Sequence, residues 1–521
     1  MAVTELPPIP LPDGPGGTGS GARPEGTGSG AQGILRRQAL RESAARTYAR
    51  ALPIVPVRAR GLTIEGADGH RYLDCLSGAG TLALGHNHPV VLEAIRGVLD
   101  SGAPLQVLDL ATPVKDAFTE ELFSTLPPGL ARHARVQFCG PAGTDAVEAA
   151  LKLVRTATGR DGLLAFSGAY HGMTAGALAA SGGAPSVSTT RLPFPYDYRC
   201  PFGVGGEYGA ELSARWTERL LDDAKGGVGA PAGMMLEPVQ GEGGVIPAPD
   251  GWLRRMRDIT AARSIPLIVD EVQTGVGRTG AFWAVQHSGV VPDVMVLSKA
   301  IGGSLPLAVV VYHEALDAWR PGAHAGTFRG NQLAMAAGAA TLAYVRENRL
   351  AERAAALGER MLHRLRQLAE RYPHIGDVRG RGLMIGLELV NPEAEQPEAE
   401  QPAAERPGVE RPEAERPEAE RLGSGRPGAR PAAPMLAAAV QQECLQRGLI
   451  VELGGRHSAV IRLLPPLTIT DEQAEAVLDR LADALDAAIR TAGAPGLGPG
   501  SGLGPGSERL PVASPFVGDH R

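Results

Sequence analysis

Two short apolar runs in the middle of the chain each end in a charged residue. The stretch PLIV stops at Asp270, and the stretch DVMVLS stops at Lys299. Runs of this length, rich in β-branched residues and separated by helical pattern, are typical of parallel strands covered on both faces. Ligands of open α/β sheets bind beyond the carboxyl ends of such strands. We therefore expect Asp270 and Lys299 to face one binding site.

The pattern alternates between strand and helix from about residue 121 to residue 343, which predicts an α/β fold with a mostly parallel sheet. After the predicted strand RVQFCG, a turn of small residues opens a helix, and backbone N–H groups at Gly143 and Thr144 could bind an anion there. Most strand-to-helix turns bind nothing, so this turn alone is weak support. Tyr170 follows the next predicted strand and could stack on a flat ligand, although an isolated Tyr is more often part of the core.

Two histidines, His86 and His88, lie close together near the start of the chain. A metal pair is one interpretation, but no further ligand is near and Pro89 stops a helix. A turn that lines a pocket is therefore the preferred interpretation.

Composition and periodicity divide the chain into folded parts and tails. Residues 1–33 and 493–521 are rich in Gly and Pro and are predicted to be disordered. Residues 392–431 contain five-residue units such as PEAEQ and PEAER, and are predicted to loop out as a low-complexity Pro/Glu/Arg insertion. A docking arm for a partner is the alternative. The other predicted parts are an N-terminal segment with part of a small domain, a large domain and the C-terminal small domain, spanning 34–120, 121–343 and 344–391 with 432–492.

Charge and cysteine content exclude several classes. A net charge of −6 argues against a general nucleic-acid binder. The four cysteines form no CxxC pair, so neither a zinc site nor a disulfide framework is predicted. The N-terminus lacks a signal-peptide pattern, and no stretch is apolar for long enough to span a bilayer. We expect a cytoplasmic protein that binds small molecules, with no nucleic acid, membrane or metal.

Together these features match the needs of pyridoxal 5'-phosphate (PLP). This cofactor requires a lysine that bonds to its aldehyde, a carboxylate at its pyridine nitrogen, an anion site for its phosphate and a flat group on its ring. These roles are filled by Lys299, Asp270, the Gly143–Thr144 turn and Tyr170. The charge of Asp270 would keep the ring nitrogen protonated, and Lys299 would carry a proton as general base and acid.

Longer motifs carry a resemblance to a known family. In the expected order, the chain contains GTDAVEAALKL, YHG, EPVQGEGG, the stretch from Val269 to Gly303, and GTFRGNQLA. With these motifs it resembles the class III, ornithine and GABA type, aminotransferases of fold type I, over nearly all of residues 34–492 outside the repeats. The resemblance implies PLP as cofactor, bonded to Lys299, with Asp270 at the ring nitrogen and Gln273 near the ring hydroxyl.

The same resemblance implies roles for four further positions. Gly143 and Thr144 would hold the phosphate, and Tyr170 would cover the ring. Thr327 would reach the phosphate bound by the other subunit, which implies a homodimer. The family usually has a serine where this chain has Ala142, which removes one possible hydroxyl contact to the phosphate.

Glu242 and Arg462 are expected to bind the substrate. In relatives that act on distal amines, the matching residues pair while an ω-amine is bound, and the arginine is released to clamp the carboxylate of 2-oxoglutarate. One pocket would thereby serve both substrates. The alternative is a purely structural ion pair.

Within the family, the stretches CLSGAGTLALGHNHP and HAGTFRGNQLAMAAG are most similar to the diaminobutyrate-forming group. Gln332, where the wider family usually has a proline, agrees with this. The implied reaction transfers an amino group between L-glutamate and the terminal aldehyde of L-aspartate 4-semialdehyde, giving L-2,4-diaminobutanoate and 2-oxoglutarate.

Other functions stay open at this point. An ω-amino acid aminotransferase of ornithine, GABA or lysine type would use the same motifs. An aminomutase of the same fold would not need Arg462, and a non-catalytic sensor or scaffold would not need Lys299. A nicotinamide-dependent dehydrogenase would show GxGxxG after an early strand, and none is present.

Overall fold

The computed structural model describes residues 30–184, 186, 188–393 and 429–492. The predicted N-terminal tail through residue 29, most of the repeat insertion and the tail from residue 493 therefore lie outside the described residues.

The strands of the described chain are β1 (Pro56–Arg60), β2 (Thr63–Gly66), β3 (Arg71–Asp74), β4 (Ala134–Phe138), β5 (Leu163–Phe166), β6 (Thr189–Leu192), β7 (Gly233–Leu236), β8 (Val239–Gln240), β9 (Ile246–Pro247), β10 (Leu267–Asp270), β11 (Val294–Leu297), β12 (Val309–His313), β13 (Ile375–Arg381), β14 (Met384–Leu389), β15 (Leu449–Ile450), β16 (Glu452–Gly454) and β17 (Val460–Leu463). The α-helices are α1 (Ala31–Arg41), α2 (Tyr48–Ala51), α3 (Pro89–Asp100), α4 (Pro113–Thr125), α5 (Pro128–Ala131), α6 (Gly143–Thr158), α7 (Ala175–Ser181), α8 (Gly206–Asp222), α9 (Asp250–Ala262), α10 (Gln332–Glu347), α11 (Leu350–Arg371), α12 (Pro434–Gln446) and α13 (Asp471–Ala492). Short 3₁₀-helices span Ala284–Ser288, Lys299–Gly302 and Glu314–Leu316.

The largest sheet has seven strands in the order β4-β12-β11-β10-β7-β5-β6. From β11 to β6 all neighbours are parallel, and β12 is antiparallel to both β11 and β4. Every residue of β5, β7, β10 and β11 is buried, which explains why these strands read as continuous apolar runs. The predicted α/β fold with a mostly parallel sheet is confirmed.

Helix α6 packs on this sheet through one apolar face. Its buried residues include Val147, Leu151 and Val154, which recur at the helical period. The helix ends at Gly159, whose φ of +66° is the left-handed conformation that a glycine adopts without strain. The other end of the helix points its free N–H groups beyond the carboxyl edge of the sheet.

Two smaller sheets bring distant parts of the chain together. The hairpin of β2 and β3 is extended by β15 in the order β1-β2-β3-β15. An antiparallel sheet has the order β13-β14-β17-β16. In this sheet Glu452 of β16 lies directly opposite Arg462 of β17.

The repeat insertion leaves and rejoins the fold at adjacent points. Val390 and Ala432 form an isolated antiparallel bridge. The Asn391 amide donates to the Pro431 carbonyl at 2.9 Å, and the Ala433 amide donates to the Leu389 carbonyl at 3.0 Å. Across the described ranges, no helix is both long and apolar enough to cross a membrane.

Candidate active site

Asp270 and Lys299 lie at the same edge of the seven-stranded sheet. Strands β10 and β11 are parallel neighbours, with Asp270 opposite Val296, so Lys299 begins beyond the same edge. Lys299 has a φ of +51°, a left-handed conformation that costs about 1–2 kcal/mol for a residue with a Cβ. Such strain is characteristic of functional sites. The predicted convergence of the acid and the amine is confirmed.

The Asp270 carboxylate is buried, and each of its oxygens has one hydrogen-bond partner in the protein. One oxygen lies 2.7 Å from His171 Nδ1, and the other accepts from the Val272 amide at 3.0 Å. Burial alone would lower the pKa of His171, but the hydrogen bond and charge of Asp270 raise it overall. His171 Nε2 is buried without a hydrogen-bond partner. The short contact with His171 and the bond from the Val272 amide therefore fix the orientation of the Asp270 carboxyl group.

The Lys299 amine lies in a buried environment that favours its neutral form. Burial is the main cause that lowers its pKa, and the charge of Arg462 adds to the effect, against opposing contributions from Glu242, Glu452 and Asp270. A neutral amine is the nucleophilic form that reacts with an aldehyde. The electrostatic environment therefore prepares Lys299 for bonding to a carbonyl compound.

The turn before α6 lies against both strand ends. A Cβ on Gly143 would lie 3.2 Å from Val272 Cγ1 and 3.5 Å from Ser298 Cβ. Val272 is the second residue after Asp270, and Ser298 directly precedes Lys299. The Asp145 side chain accepts from the Ala142 amide at 3.0 Å and so closes the turn. The start of α6 thus provides anion-binding N–H groups beside the acid and the amine.

The side chain of Thr144 is held by a neighbouring loop. Its hydroxyl lies 2.6 Å from the Thr174 hydroxyl, which in turn donates to Glu148 at 2.6 Å. Gly172 is needed here, because a Cβ at that position would lie 2.5 Å from Thr144 Cβ. Its φ of +121° also favours glycine.

Tyr170 follows β5 and is partly buried. Its amide donates to Glu237 Oε2 at 3.0 Å, and Glu237 Oε1 accepts from the Gly241 amide at 3.1 Å. Burial raises the pKa of Glu237 to about 7. Glu237 therefore ties the Tyr170 loop to the loop that carries Glu242.

Gln273 connects the loop after β10 to two other loops. Its Nε2 donates to the Ala79 carbonyl at 3.2 Å and to Glu242 Oε1 at 3.3 Å, whereas its Oε1 is buried without a partner. Ala79 has a φ of +56° within the predicted pocket-lining turn. Gln273 thus contacts Glu242 and keeps one buried acceptor, Oε1, without a partner.

Glu242 and Arg462, 220 residues apart, form the predicted ion pair. Both Glu242 oxygens lie 2.8 Å from Arg462 Nη2, and the arginine is fully buried. Burial alone would raise the pKa of Glu242, but the charge of Arg462 lowers it overall. The pair is therefore ionised in this structure.

Two residues of this cluster were missed by the sequence reasoning. Glu452 Oε2 lies 2.5 Å from Arg462 Nη2, and Glu452 Oε1 accepts from the Tyr48 hydroxyl at 3.0 Å. The available signal was an acidic residue inside the apolar run LIVELGG. Tyr48 lies in the N-terminal segment, where nothing in the local pattern points to the site.

Three other candidates lie apart from this cluster. Thr327 is exposed, and its carbonyl accepts from the Gln106 side chain at 3.0 Å. His86 Nε2 lies 2.8 Å from Asp74, and the His88 ring packs edge-on against Tyr344 at 4.8 Å between centroids. The two histidines thus have separate partners and do not form a pair, and the pocket-lining turn stays a prediction.

Comparison with known proteins identifies the family. The model of the class-III aminotransferases matches residues 44–485. The chain belongs to the class-III aminotransferases. A diaminobutyrate–2-oxoglutarate aminotransferase from Rhizobium meliloti is 52% identical over 87% of this chain and 92% of its own. One from Haemophilus influenzae is 44% identical over 88% of this chain and 96% of its own.

Solved structures of transaminases share the fold of this class-III aminotransferase. An amine transaminase from an uncultivated Pseudomonas species, solved in its PLP-bound form, has a TM-score of 0.71 at 30% identity and covers 87% of this chain and 98% of its own. An ω-transaminase from Thermomicrobium roseum has a TM-score of 0.72 at 27% identity, with 88% and 99% covered. The predicted fold class, enzyme class and PLP cofactor are confirmed.

The residues present fit this cofactor. A buried lysine with a lowered pKa, an oriented carboxylate and a helix N-terminus meet at one sheet edge, which matches the aldehyde, the ring nitrogen and the phosphate. The unpartnered Gln273 Oε1 adds an acceptor beside them. In this class-III aminotransferase the cofactor would be held by Lys299, Asp270 and the Gly143–Thr144 turn.

Proposed function

We propose that this class-III aminotransferase transfers an amino group from L-glutamate to the terminal aldehyde of L-aspartate 4-semialdehyde, giving 2-oxoglutarate and L-2,4-diaminobutanoate. The observation that carries the proposal is the 52% identity, over most of both chains, to a relative that bears the corresponding name. The ion pair of Glu242 and Arg462 beside Lys299 supports it, because the two substrates differ at the end that this pair would contact.

The chain's own residues have the following proposed roles toward the cofactor. When bound, PLP draws electrons from the substrate carbon that loses or gains a proton. Lys299 holds the cofactor between turnovers and then moves that proton as a neutral amine. Asp270, oriented by His171, keeps the ring nitrogen protonated. Tyr170 covers the ring, Gln273 contacts the ring hydroxyl, and Gly143 and Thr144 bind the phosphate.

Glu242 and Arg462 act as the proposed substrate switch. While a diamino acid is bound, Glu242 neutralises Arg462, so the pocket presents no free cation. When 2-oxoglutarate or glutamate binds, Glu242 moves away and Arg462 clamps a carboxylate of that substrate. Glu242 is the more exposed member of the pair, with 21% of its side chain accessible against 0% for Arg462, which agrees with Glu242 as the moving group.

We also infer a homodimer in which Thr327 contacts the phosphate bound by the partner. An exposed apolar surface next to Thr327 supports this, because isolated soluble chains rarely expose such groups together. Its members are Leu105, Leu108, Leu110 and Phe328, with 50–72% of each exposed. The Gln106 side chain links the two loops that carry them.

The proposed domain division is supported by the sheets. All seven strands of the largest sheet fall within residues 134–313, and the sheet that carries Arg462 falls within 375–463. A cytoplasmic location is supported by the four cysteines, which are all free thiols.

The deciding experiment compares amino acceptors for the PLP-loaded full-length enzyme. With L-glutamate as donor, we expect kcat/KM for aspartate 4-semialdehyde to exceed that for succinate semialdehyde and glutamate semialdehyde by at least about tenfold, the range that one added recognition contact supplies. Equal values for all three would contradict the substrate assignment and leave an ω-amino acid aminotransferase of another type. Turnover of an amino acid without any amino donor would indicate an aminomutase instead.

A control variant tests the chemistry independently of the substrate. In Lys299→Ala we expect amino transfer to fall by about 10²–10⁴-fold or more, because the positioned acid–base group is lost. The visible absorbance of the bound cofactor should also change, since its bond to the lysine is absent. An unchanged spectrum with retained activity would contradict the role of Lys299.

A further inference from the structure

The cluster around Arg462 carries more negative than positive charge. Two carboxylates, Glu242 and Glu452, contact a single guanidinium. Lys299 bonds to the cofactor between turnovers and acts as a neutral amine during them, so it does not neutralise the second carboxylate. Burying an unpaired charge costs free energy. Such a site is therefore stabilised when the bound ligand supplies the missing positive charge.

The contacts of Arg462 are crowded at one nitrogen. Nη2 lies within 2.8 Å of three carboxylate oxygens, two from Glu242 and one from Glu452. Nη1 and Nε are buried without hydrogen-bond partners, although Arg462 could donate from all of them. Glu452 Oε2 also lacks the alignment of a hydrogen bond despite its short contact with Arg462. The cluster therefore contains both a cationic and an anionic side chain with polar atoms that lack a hydrogen-bond partner.

The position of Glu452 is fixed by the fold. It lies directly opposite Arg462 across the β16–β17 pair, and its other oxygen is held by the Tyr48 hydroxyl. Only 8% of the residue is exposed. Burial is the main cause that raises the pKa of Glu452, while the charges of Arg462 and Lys299 oppose it. Glu452 therefore lies close enough to Lys299 for their charges to interact, on the side of Arg462 where Glu242 also binds.

We propose that Glu452 is a specificity-determining residue that binds the 2-ammonium group of L-2,4-diaminobutanoate while the 4-amino group reacts at Lys299. This inference rests on the proposed function. The four-carbon donor 4-aminobutanoate lacks the 2-ammonium group, so Glu452 keeps only its contacts with Arg462 and the Tyr48 hydroxyl, and this donor is used less well. Glu242 neutralises Arg462 in both cases, so the second carboxylate, not the first, distinguishes the two amino donors.

The test measures the reverse reaction of the PLP-loaded full-length enzyme, with 2-oxoglutarate as acceptor. Wild type and Glu452→Gln are compared with 2,4-diaminobutanoate and with 4-aminobutanoate as donors. We expect kcat/KM for 2,4-diaminobutanoate to fall roughly 10- to 100-fold in Glu452→Gln, the effect of one charge-assisted hydrogen bond. The value for 4-aminobutanoate should stay the same or rise, and most of the change should lie in KM.

Two further variants separate recognition from folding. Glu218→Gln removes a carboxylate from a surface pair with Arg255 and should change neither donor. Tyr48→Phe removes only the hydrogen bond that orients Glu452, and should weaken 2,4-diaminobutanoate less than Glu452→Gln does. Unfolding temperature and the visible spectrum of the cofactor, measured for each variant, report whether the protein is folded and loaded.

The outcomes distinguish this inference from the proposed function. If wild type uses 2,4-diaminobutanoate and Glu452→Gln, folded and loaded, loses both donors by the same factor, Glu452 is a structural partner of Arg462 and the inference is wrong. If wild type does not use 2,4-diaminobutanoate at all, the proposed function itself is wrong. A Glu452→Gln protein that does not fold is replaced by the Tyr48→Phe comparison, where an unchanged donor ratio contradicts the inference.

Discussion

Arg462 and Arg379 are both buried in the sheet β13-β14-β17-β16, and each contacts two carboxylates, yet their networks differ in charge balance. Arg379 Nη1 lies 2.9 Å from Asp377 and 2.7 Å from Glu388. Glu388 is contacted by a second guanidinium, that of Arg199, at 2.5 Å, and it also accepts from the Tyr196 hydroxyl. Two cations therefore match two anions around Glu388.

The difference in charge balance indicates a different role for each network. Around Glu388 both carboxylate oxygens have donors, so the charges satisfy each other within the chain. Around Arg462 there is one cation for two anions, and two of its nitrogens, Nη1 and Nε, are buried without partners, against one, Nη2, for Arg379. A balanced network stabilises the fold, whereas an unbalanced one beside a reactive lysine is completed by substrate.

The largest expected effect comes from the balanced network. Glu388→Gln leaves the buried Arg379 and the partly buried Arg199 with one fewer anion, and we expect it to lower the free energy of unfolding by about 3–5 kcal/mol. Activity per folded, cofactor-loaded molecule should be nearly unchanged. Denaturant unfolding and active-site titration measure the two quantities. A variant that is as stable as wild type but loses activity would contradict the role of Glu388 in stabilising the fold.

The pH dependence gives a second readout for Glu388. Although burial alone would raise it, the charge of Arg379 and the Tyr196 hydrogen bond hold the pKa of Glu388 below its ordinary value of 4.5. Its stabilisation is therefore fully present above pH 4.5 and is lost as the pH falls through the folded-state pKa below that value. The stability difference between wild type and Glu388→Gln should shrink in that range. A difference that is constant with pH would mean that the charge of Glu388 is not what stabilises the fold.

The unbalanced network predicts an effect on activity instead of stability. Arg462→Lys keeps the charge but loses the planar fork that binds a carboxylate. We expect kcat/KM for 2-oxoglutarate to fall roughly 10- to 100-fold, with a much smaller change for the diamino acid. Separate half-reactions with each substrate provide the measurement. Equal losses for both would support the structural ion pair that the sequence left open.

The smallest effect is expected from the repeat insertion, which begins and ends near the balanced network. Arg199 Nη2 donates to the Arg430 carbonyl at 3.0 Å, at the end of the insertion. The bridge of Val390 and Ala432 already brings the ends of the loop together. Deletion of residues 394–428 should therefore change activity and unfolding free energy by less than about 1 kcal/mol, because loop closure entropy varies slowly with length. A folded deletion protein without activity would favour the docking arm.

Much of the fold was predictable because the relevant signals are local. Apolar runs such as LIVD and VMVL are fully buried strands, so their hydrophobicity and length were sufficient to recognise them. Gly143 marks a turn before a helix by residue type alone. The order of these elements then required Asp270 and Lys299 to converge at the carboxyl edge of a parallel sheet.

Other features depend on contacts that no local pattern encodes. His171 meets Asp270 across 99 residues, and Tyr48 meets Glu452 across 404. Glu452 was missed because its neighbours in the chain are apolar, and its partner is set by the register of β16 against β17. A shift of one residue in that register would turn Glu452 to the other face of the sheet.

The sequence by itself determined the strands, the helices, the acid and amine at two strand ends, and the family motifs that imply PLP. These follow from hydrophobic periodicity and from residue types at element ends, both of which are read along the chain. That two carboxylates share one buried guanidinium near Lys299 is visible only in the tertiary structure. Charge balance is a property of groups that meet in space, and strand pairing over long sequence distances brings them together.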